Sequence, residues 1–170
     1  SAQGGAADGT ITVVSREDGS GTRGAFIELF GIEEKNDAGE KIDNTTDTAE
    51  ITNSTAVMMT TVAGNDNAIG YVSLGSLNDS VKALSIDGVE ASADNIKNGT
   101  YAVARPFNIA TGKEVSEVTK DFISFILSED GQAVVEENGY ISQGNTGAFK
   151  STEAEGKIVV AGSSSVTPVM

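Results

Sequence analysis

Residues 12–26 of the chain read TVVSREDGSGTRGAF. A β-branched pattern typical of a buried strand ends at Arg16, and the Gly-Ser-Gly-Thr of residues 19–22 opens a segment with the apolar spacing of a helix. Such a turn gathers free main-chain N–H groups, two hydroxyls and a guanidinium at the start of a helix. Small tetrahedral oxyanions are bound by these groups, so the stretch predicts an anion site.

Strand-like and helix-like segments alternate along the rest of the chain, which predicts an α/β fold with a largely parallel sheet. Ligands of such sheets lie beyond the carboxyl ends of the strands. Residues 31–50 are polar and are predicted to form a surface excursion. Strands are predicted over 11–14, 68–73, 81–86 and 157–161, helices over 21–30, 56–62 (capped by 53–55), 93–98, 115–127 and 132–137, and an edge strand or crossing segment over 101–109.

A second loop repeats the strand-to-helix arrangement near the end of the sequence. Residues 157–168 read KIVVAGSSSVTP, and Pro168 suits the first position of a helix. Serine runs alone are more often linkers, so this loop depends on the strand predicted before it. The two loops are therefore predicted to lie at equivalent places beside a sheet.

The composition excludes several classes of function. The chain of 170 residues has no Cys and no His, and its formal net charge is −14. A Ser–His or Cys–His hydrolase cannot be built from this chain alone, and the negative charge argues against nucleic acid as a partner. An acidic protein must hold an anion by short hydrogen bonds from a preformed site. We expect no catalytic residue, no metal ligand set and no cofactor.

Three other interpretations of the first loop compete with the anion site. The glycines at 19, 21 and 24 fit a dinucleotide fingerprint, but that motif needs a strand ending in Asp or Glu about 20 residues on, and residues 37–40 are polar. A Walker loop would need a lysine that is missing here. In the third interpretation the glycines serve backbone geometry and Ser20 caps a helix.

The arginines of the loop bear on that choice. Arg16 favours the anion site, because Asp18 can hold its guanidinium by a fork-type pair and leave donors for a ligand. Arg23 falls in the first helical turn, where the helix dipole disfavours a cation. We therefore predict that Arg23 is a solvated surface residue.

Three segments resemble the phosphate-binding proteins that serve bacterial ABC phosphate importers: residues 15–23, 55–72 and 162–168. The resemblance extends over nearly the whole chain. It implies part of a two-lobed periplasmic-binding-protein-like fold, and an extracytoplasmic receptor that binds inorganic phosphate and delivers it to an ABC permease without catalysis. It also implies that the full-length protein is anchored to the membrane.

The resemblance also implies which residues hold the phosphate. Arg16 would contact it directly, and Asp18 would orient that arginine. The remaining donors would come from both loops as hydroxyls and main-chain N–H groups. The full predicted set is Arg16, Asp18, Gly19, Ser20, Gly21, Thr22, Ser164, Ser165 and Thr167.

The order of the segments departs from the family, since the loop expected first comes last. Residues 1–100 are predicted to be a second-lobe segment with the anion loop, 101–143 a return to the first lobe, 144–156 a linker, and 157–170 the first strand and loop of a first lobe. Tandem binding domains or a circular permutation would both explain this order. Either way, the remaining part of the same protein or a complementary chain is expected to complete the pocket.

Two alternative functions stay open from the sequence. A related receptor could bind another tetrahedral oxyanion, such as sulfate, molybdate or tungstate. A phosphatase-like enzyme could use the same loop, although the absence of His and Cys removes its usual catalytic groups.

Overall fold

The computed structural model describes residues 9–142 and 144–170. These residues form five strands and five α-helices. The strands are β1 (Thr12–Arg16), β2 (Glu33–Lys35), β3 (Lys41–Asp43), β4 (Glu50–Thr52) and β5 (Ala68–Ile69). The helices are α1 (Gly21–Leu29), α2 (Thr55–Ala63), α3 (Ala93–Lys97), α4 (Glu117–Leu127) and α5 (Glu129–Glu137), with 3-10 turns at Leu74–Ser76 and Ser164–Val169.

The central feature of the fold is a three-stranded sheet in the order β4-β1-β5. Both ladders are parallel, with Arg16 opposite Thr52 on one side of β1 and Thr12 opposite Ala68 on the other. The carboxyl ends of β1 and β4 therefore meet at one edge of the sheet. The predicted α/β fold with a parallel sheet is confirmed.

Two helices cover the sheet with apolar side chains. Val14 of β1 and Met58 of α2 are each 1% exposed, and Ile27 of α1 and Met59 of α2 are also buried. The β-branched run at the start of the quoted stretch supplies the centre of this core. Packing of α1 and α2 on β1 places the first turn of both helices beside the end of that strand.

Serine side chains begin the helices, as their N-cap preference predicts. Ser20 accepts a hydrogen bond from the main-chain N of Arg23, and Ser54 accepts one from Val57. Ser128 caps α5 in the same way, so this helix begins at Glu129 and not at the predicted residue 132. The other helix boundaries lie within a few residues of the predictions.

The polar excursion over residues 31–50 contains structure that the sequence did not predict. Strands β2 and β3 pair antiparallel as a hairpin, with Glu33 opposite Asp43, and β4 begins at Glu50. Each of these strands has three residues. A segment of three residues is too short to show the alternation of apolar and polar residues that predicts a strand. Such strands are recognised only from the strands with which they pair.

Two predicted strands are wrong. Within the described residues, 81–86 contributes only an isolated bridge between Ile86 and Val89, and 157–161 joins no sheet. Val159 is 88% exposed and Val160 is 53% exposed. An apolar run forms a strand only beside a partner with free hydrogen-bonding groups. Among the described residues, 157–161 pairs with no strand and 81–86 meets only Val89.

Candidate functional site

The loop between β1 and α1 is fixed at the carboxyl edge of the sheet. The main-chain N of Glu17 donates to the Thr52 carbonyl at 2.9 Å, which continues the ladder one residue beyond the strand. The main-chain N of Ser20 donates to the Glu17 carbonyl at 3.2 Å. Gly19 takes φ +82°, a conformation that glycine adopts without strain. The chain therefore turns sharply and delivers Ser20 to the start of α1.

Arg16 lies at the centre of this edge and is 2% exposed. Its Nε and Nη2 donate to the two carboxylate oxygens of Glu17 at 2.7 and 2.9 Å. Nη1 donates to Thr55 Oγ1 at 3.2 Å, and Nη2 donates to Ser164 Oγ at 3.1 Å. A guanidinium has five N–H donors, so these bonds leave one for a ligand. Burial together with these four hydrogen bonds fixes the direction in which the cation points.

Glu17, and not the predicted Asp18, forms the fork-type pair with Arg16. The Asp18 side chain is 98% exposed, and its Oδ1 lies 3.0 Å from Arg23 Nη1. The difference follows from the loop, because Glu17 is held to the sheet edge while Asp18 stands in the turn just before Gly19. Hydrogen bonding to Arg16 lowers the pKa of the Glu17 carboxyl below its ordinary value.

Arg23 is not the solvated residue that the sequence predicts, since its side chain is only 15% exposed. Nη2 donates to Asp43 Oδ2 at 2.7 Å, and Nη1 donates to the Arg16 carbonyl at 2.8 Å. Burial alone would lower the pKa of Arg23, but hydrogen bonding to Asp43 and the charges of Asp43 and Asp18 outweigh it and raise the pKa. Arg23 thus ties α1 to the hairpin and to the end of β1.

The second predicted loop reaches the same place from the far end of the sequence. Ser164 Oγ lies 3.1 Å from both Arg16 Nη2 and Thr55 Oγ1. The Ser165 hydroxyl, fully buried, bonds to the Thr22 hydroxyl. The Tyr140 hydroxyl donates to the Ser165 carbonyl. Side chains from three separate segments therefore hold the serine turn against Arg16.

These elements enclose a cleft of about 500 Å³. Its lining combines a cation, hydroxyls and the first turn of α1. The lining residues are Arg16, Glu17, Gly19, Ser20, Gly21, Asn53, Gly162, Ser163 and Ser164.

The predicted site residues divide into three groups. Arg16, Gly19, Ser20, Gly21 and Ser164 line the cleft, and Thr22 and Ser165 bond to each other beside it. Asp18 and Thr167 are exposed and lie outside the lining.

Sequence reasoning missed Glu17 and Asn53 as lining residues and Thr55 as a partner of Arg16. A signal for Asn53 would have been its place directly after a strand that pairs with β1. That strand, β4, was itself unpredicted.

The described residues offer little for other chemistry. They contain no group of three or more His, Cys, Asp or Glu side chains placed to hold a metal ion. No helix in the same residues has the length and apolar character needed to cross a membrane. The arrangement at the cleft suits the binding of a small anion by one cation and several neutral donors.

Comparison with known protein families agrees with the fold. A family model described as a PBP superfamily domain matches residues 2–130. The chain belongs to the PBP superfamily. Within that superfamily it is 65% identical over 164 residues to phosphate-binding protein PstS 2 of Streptococcus agalactiae, covering 95% of this chain and 56% of the relative. Phosphate-binding protein PstS 2 of Streptococcus pneumoniae is 53% identical over 165 residues, covering 96% of this chain and 56% of the relative.

Solved structures of the superfamily are similar as well. A phosphate-binding protein of a phosphate ABC transporter from Streptococcus pneumoniae matches with a TM-score of 0.77 at 53% identity, over 95% of this chain and 63% of that chain. A putative phosphate ABC transporter substrate-binding protein with bound phosphate, from Clostridium perfringens, matches with a TM-score of 0.67 at 43% identity. The match covers 78% of this chain and 51% of that chain. The chain thus spans little more than half the length of the curated relatives it matches.

Proposed function

We propose that this chain is the phosphate-binding part of an extracytoplasmic receptor that delivers inorganic phosphate to an ABC permease. The observation that carries the proposal is the buried Arg16 at the cleft, directed by Glu17 and placed beside the first turn of α1. Relatives named as phosphate-binding proteins support it. The receptor binds its ligand without catalysis and is anchored to the membrane in its full-length form.

The donors at the cleft are sufficient in number for such a receptor. Each hydrogen bond to a charged group contributes about 1.5–3 kcal/mol net. Micromolar affinity corresponds to roughly 8 kcal/mol. The free N–H of Arg16, the Ser20 and Ser164 hydroxyls and the main-chain N–H groups at the start of α1 can together supply this free energy before the cost of ordering is subtracted.

We further propose that residues 1–100 belong to the second lobe, 101–143 return toward the first lobe, 144–156 are a linker and 157–170 begin a first lobe. Apolar side chains of the last segment support this, because Val159 is 88% exposed and Val160 is 53% exposed. Surface of this kind is normally covered. Other polypeptide, from the same protein or a complementary chain, would supply the partner strand and complete the pocket.

Calorimetric titration of the full-length protein that carries this sequence tests the proposal. Phosphate is expected to bind with micromolar or tighter affinity, and sulfate and molybdate far more weakly. Equal affinity for sulfate would favour a general oxyanion receptor, and no heat with any of the three would remove the proposal. Release of product from a chromogenic phosphate ester would instead indicate a phosphatase-like enzyme.

A further inference from the structure

Asn53 occupies a place in the cleft that no part of the proposed function uses. It follows β4 directly, and β4 pairs with β1 so that Thr52 lies opposite Arg16. The hydrogen bond from Glu17 N to the Thr52 carbonyl at 2.9 Å fixes this register at the very edge of the sheet. Asn53 is exposed and lines the same cleft as Arg16, Ser20 and Ser164.

The neighbours of Asn53 are already committed to other contacts. Ser54 caps α2 through a hydrogen bond from Val57 N. Thr55 Oγ1 accepts from Arg16 Nη1 at 3.2 Å and lies 3.1 Å from Ser164 Oγ. Of the three polar residues at the start of α2, Asn53 is the one that lines the cleft, and it is exposed there.

A neutral donor at position 53 suits the charges around Arg16. Four hydrogen bonds from Arg16 go to protein oxygens, and two of these go to Glu17, whose carboxylate also lines the cleft. An anion that approaches Arg16 thus meets a negative neighbour. An amide nitrogen provides two N–H donors and no charge, so at position 53 it would offset that repulsion.

We propose that Asn53 is a direct ligand of the bound anion and donates from Nδ2 to an oxygen of the tetrahedral group held by Arg16. This inference rests on the proposed function and adds a residue from the connection between β4 and α2 to the two loops already described. The ligand class is an oxyanion with several equivalent oxygens, because Arg16, the start of α1 and Asn53 approach the cleft from different segments.

Two substitutions in the full-length protein test the role of Asn53, with phosphate as the titrant. Asn53→Ala should weaken phosphate binding by roughly 10- to 100-fold, the range expected for one hydrogen bond to a charged group. Asn53→Asp should weaken it further, because it replaces a donor by a like charge. Asn44→Asp is the matched control: it makes the same change of charge at an exposed residue outside the cleft lining and should leave affinity unchanged.

A second measurement observes the contact directly. In ¹⁵N-labelled protein, the side-chain NH₂ signals of Asn53, assigned by their absence in Asn53→Ala, should shift on addition of phosphate. Thermal unfolding of each variant establishes that the fold is retained.

The possible results separate the inference from the function on which it depends. Wild-type affinity in Asn53→Ala and Asn53→Asp, together with loss of binding in Arg16→Ala, would overturn the role of Asn53 and leave the receptor intact. A loss in Asn44→Asp equal to that in Asn53→Asp, with wild-type affinity in Asn53→Ala, would assign the effect to net charge and would also overturn it. Absence of phosphate binding by the wild-type protein would reject the proposed function itself.

Discussion

The two glycine- and serine-rich loops have similar sequences and different structures. The first follows β1, which is paired on both sides, and opens the nine-residue helix α1. The second follows residues 157–161, which join no sheet among the described residues, and opens only the 3-10 turn Ser164–Val169. A paired strand fixes the direction in which the following loop leaves the sheet. Without one, the second loop depends on contacts from other segments, made by Thr22, Thr55 and Tyr140.

This contrast explains how the two loops contribute to the cleft. The first contributes a buried cation and a helix start whose geometry its own strand determines. The second contributes hydroxyls that are positioned by contacts with other segments of the chain. Substitutions in the first loop should therefore have larger effects than equivalent ones in the second.

The largest effect is expected from Arg16→Ala. It removes the one cationic side chain among the described residues that line the cleft, and it leaves the Glu17 carboxylate without its partner. Phosphate affinity should fall by at least about 100-fold, the equivalent of one strong charge-assisted hydrogen bond. Titration calorimetry measures the change. Arg105→Ala is the control, since Arg105 is exposed and pairs with Glu28 at 2.8 Å; comparable losses in both variants would contradict the special role of Arg16.

The second expected effect separates two adjacent acids. Glu17→Gln should destabilise the fold by about 1 kcal/mol, because buried Arg16 loses its charged partner while the 36% exposure of the Glu17 side chain lets water screen the pair. Asp18→Asn should change stability by less than about 0.5 kcal/mol. Urea unfolding at pH 7 gives both values. A larger effect at Asp18 would restore the pairing predicted from the sequence.

The stability that the Glu17–Arg16 pair contributes depends on pH. The pKa of Glu17 is lowered in the folded state, so the pair stabilises the fold above the ordinary carboxyl pKa of 4.5. This contribution is lost as the pH falls through the lowered folded value. The difference between wild type and Glu17→Gln should therefore be full at pH 7 and should shrink toward pH 3.

The last prediction compares one hydroxyl from each loop. Ser20→Ala removes the cap of α1 and should cost about 1 kcal/mol of stability. Thr167→Ala alters an exposed side chain and should stay within about 0.5 kcal/mol. Thermal unfolding distinguishes the two. Equal destabilisation would mean that the second loop is as firmly determined by its own residues as the first.

The parts of the fold that could be predicted are the segments whose own residues show a strand or helix pattern. The β-branched run of β1, the capping serines and the apolar spacing of α1, α2 and α4 are local features, and the structure has these elements close to their predicted places. Strands β2, β3 and β4 escaped prediction because three residues carry no period. Residues 157–161 show the opposite failure, since their strand pattern has no partner in the described part of the chain.

The same division between local sequence features and strand pairing applies to the site. The resemblance to phosphate-binding proteins implied that Arg16, Ser20 and Ser164 belong to one site, and all three line the cleft. Sequence reasoning chose Asp18 instead of Glu17 as the partner of Arg16, because the correct choice depends on the backbone hydrogen bond that holds residue 17 to Thr52. It also could not find Asn53, whose position is set by the pairing of β4 with β1.

The contact between Arg16 and Ser164 has a consequence for the order in which the molecule forms. It joins residues that are 148 positions apart, and closing a flexible loop of that length costs roughly 4 kcal/mol in chain entropy. The sheet edge and α1 need much shorter closures, so they can assemble first. The serine turn should therefore arrive late during folding and detach early under denaturant, which makes the second wall of the cleft the least persistent part of the site.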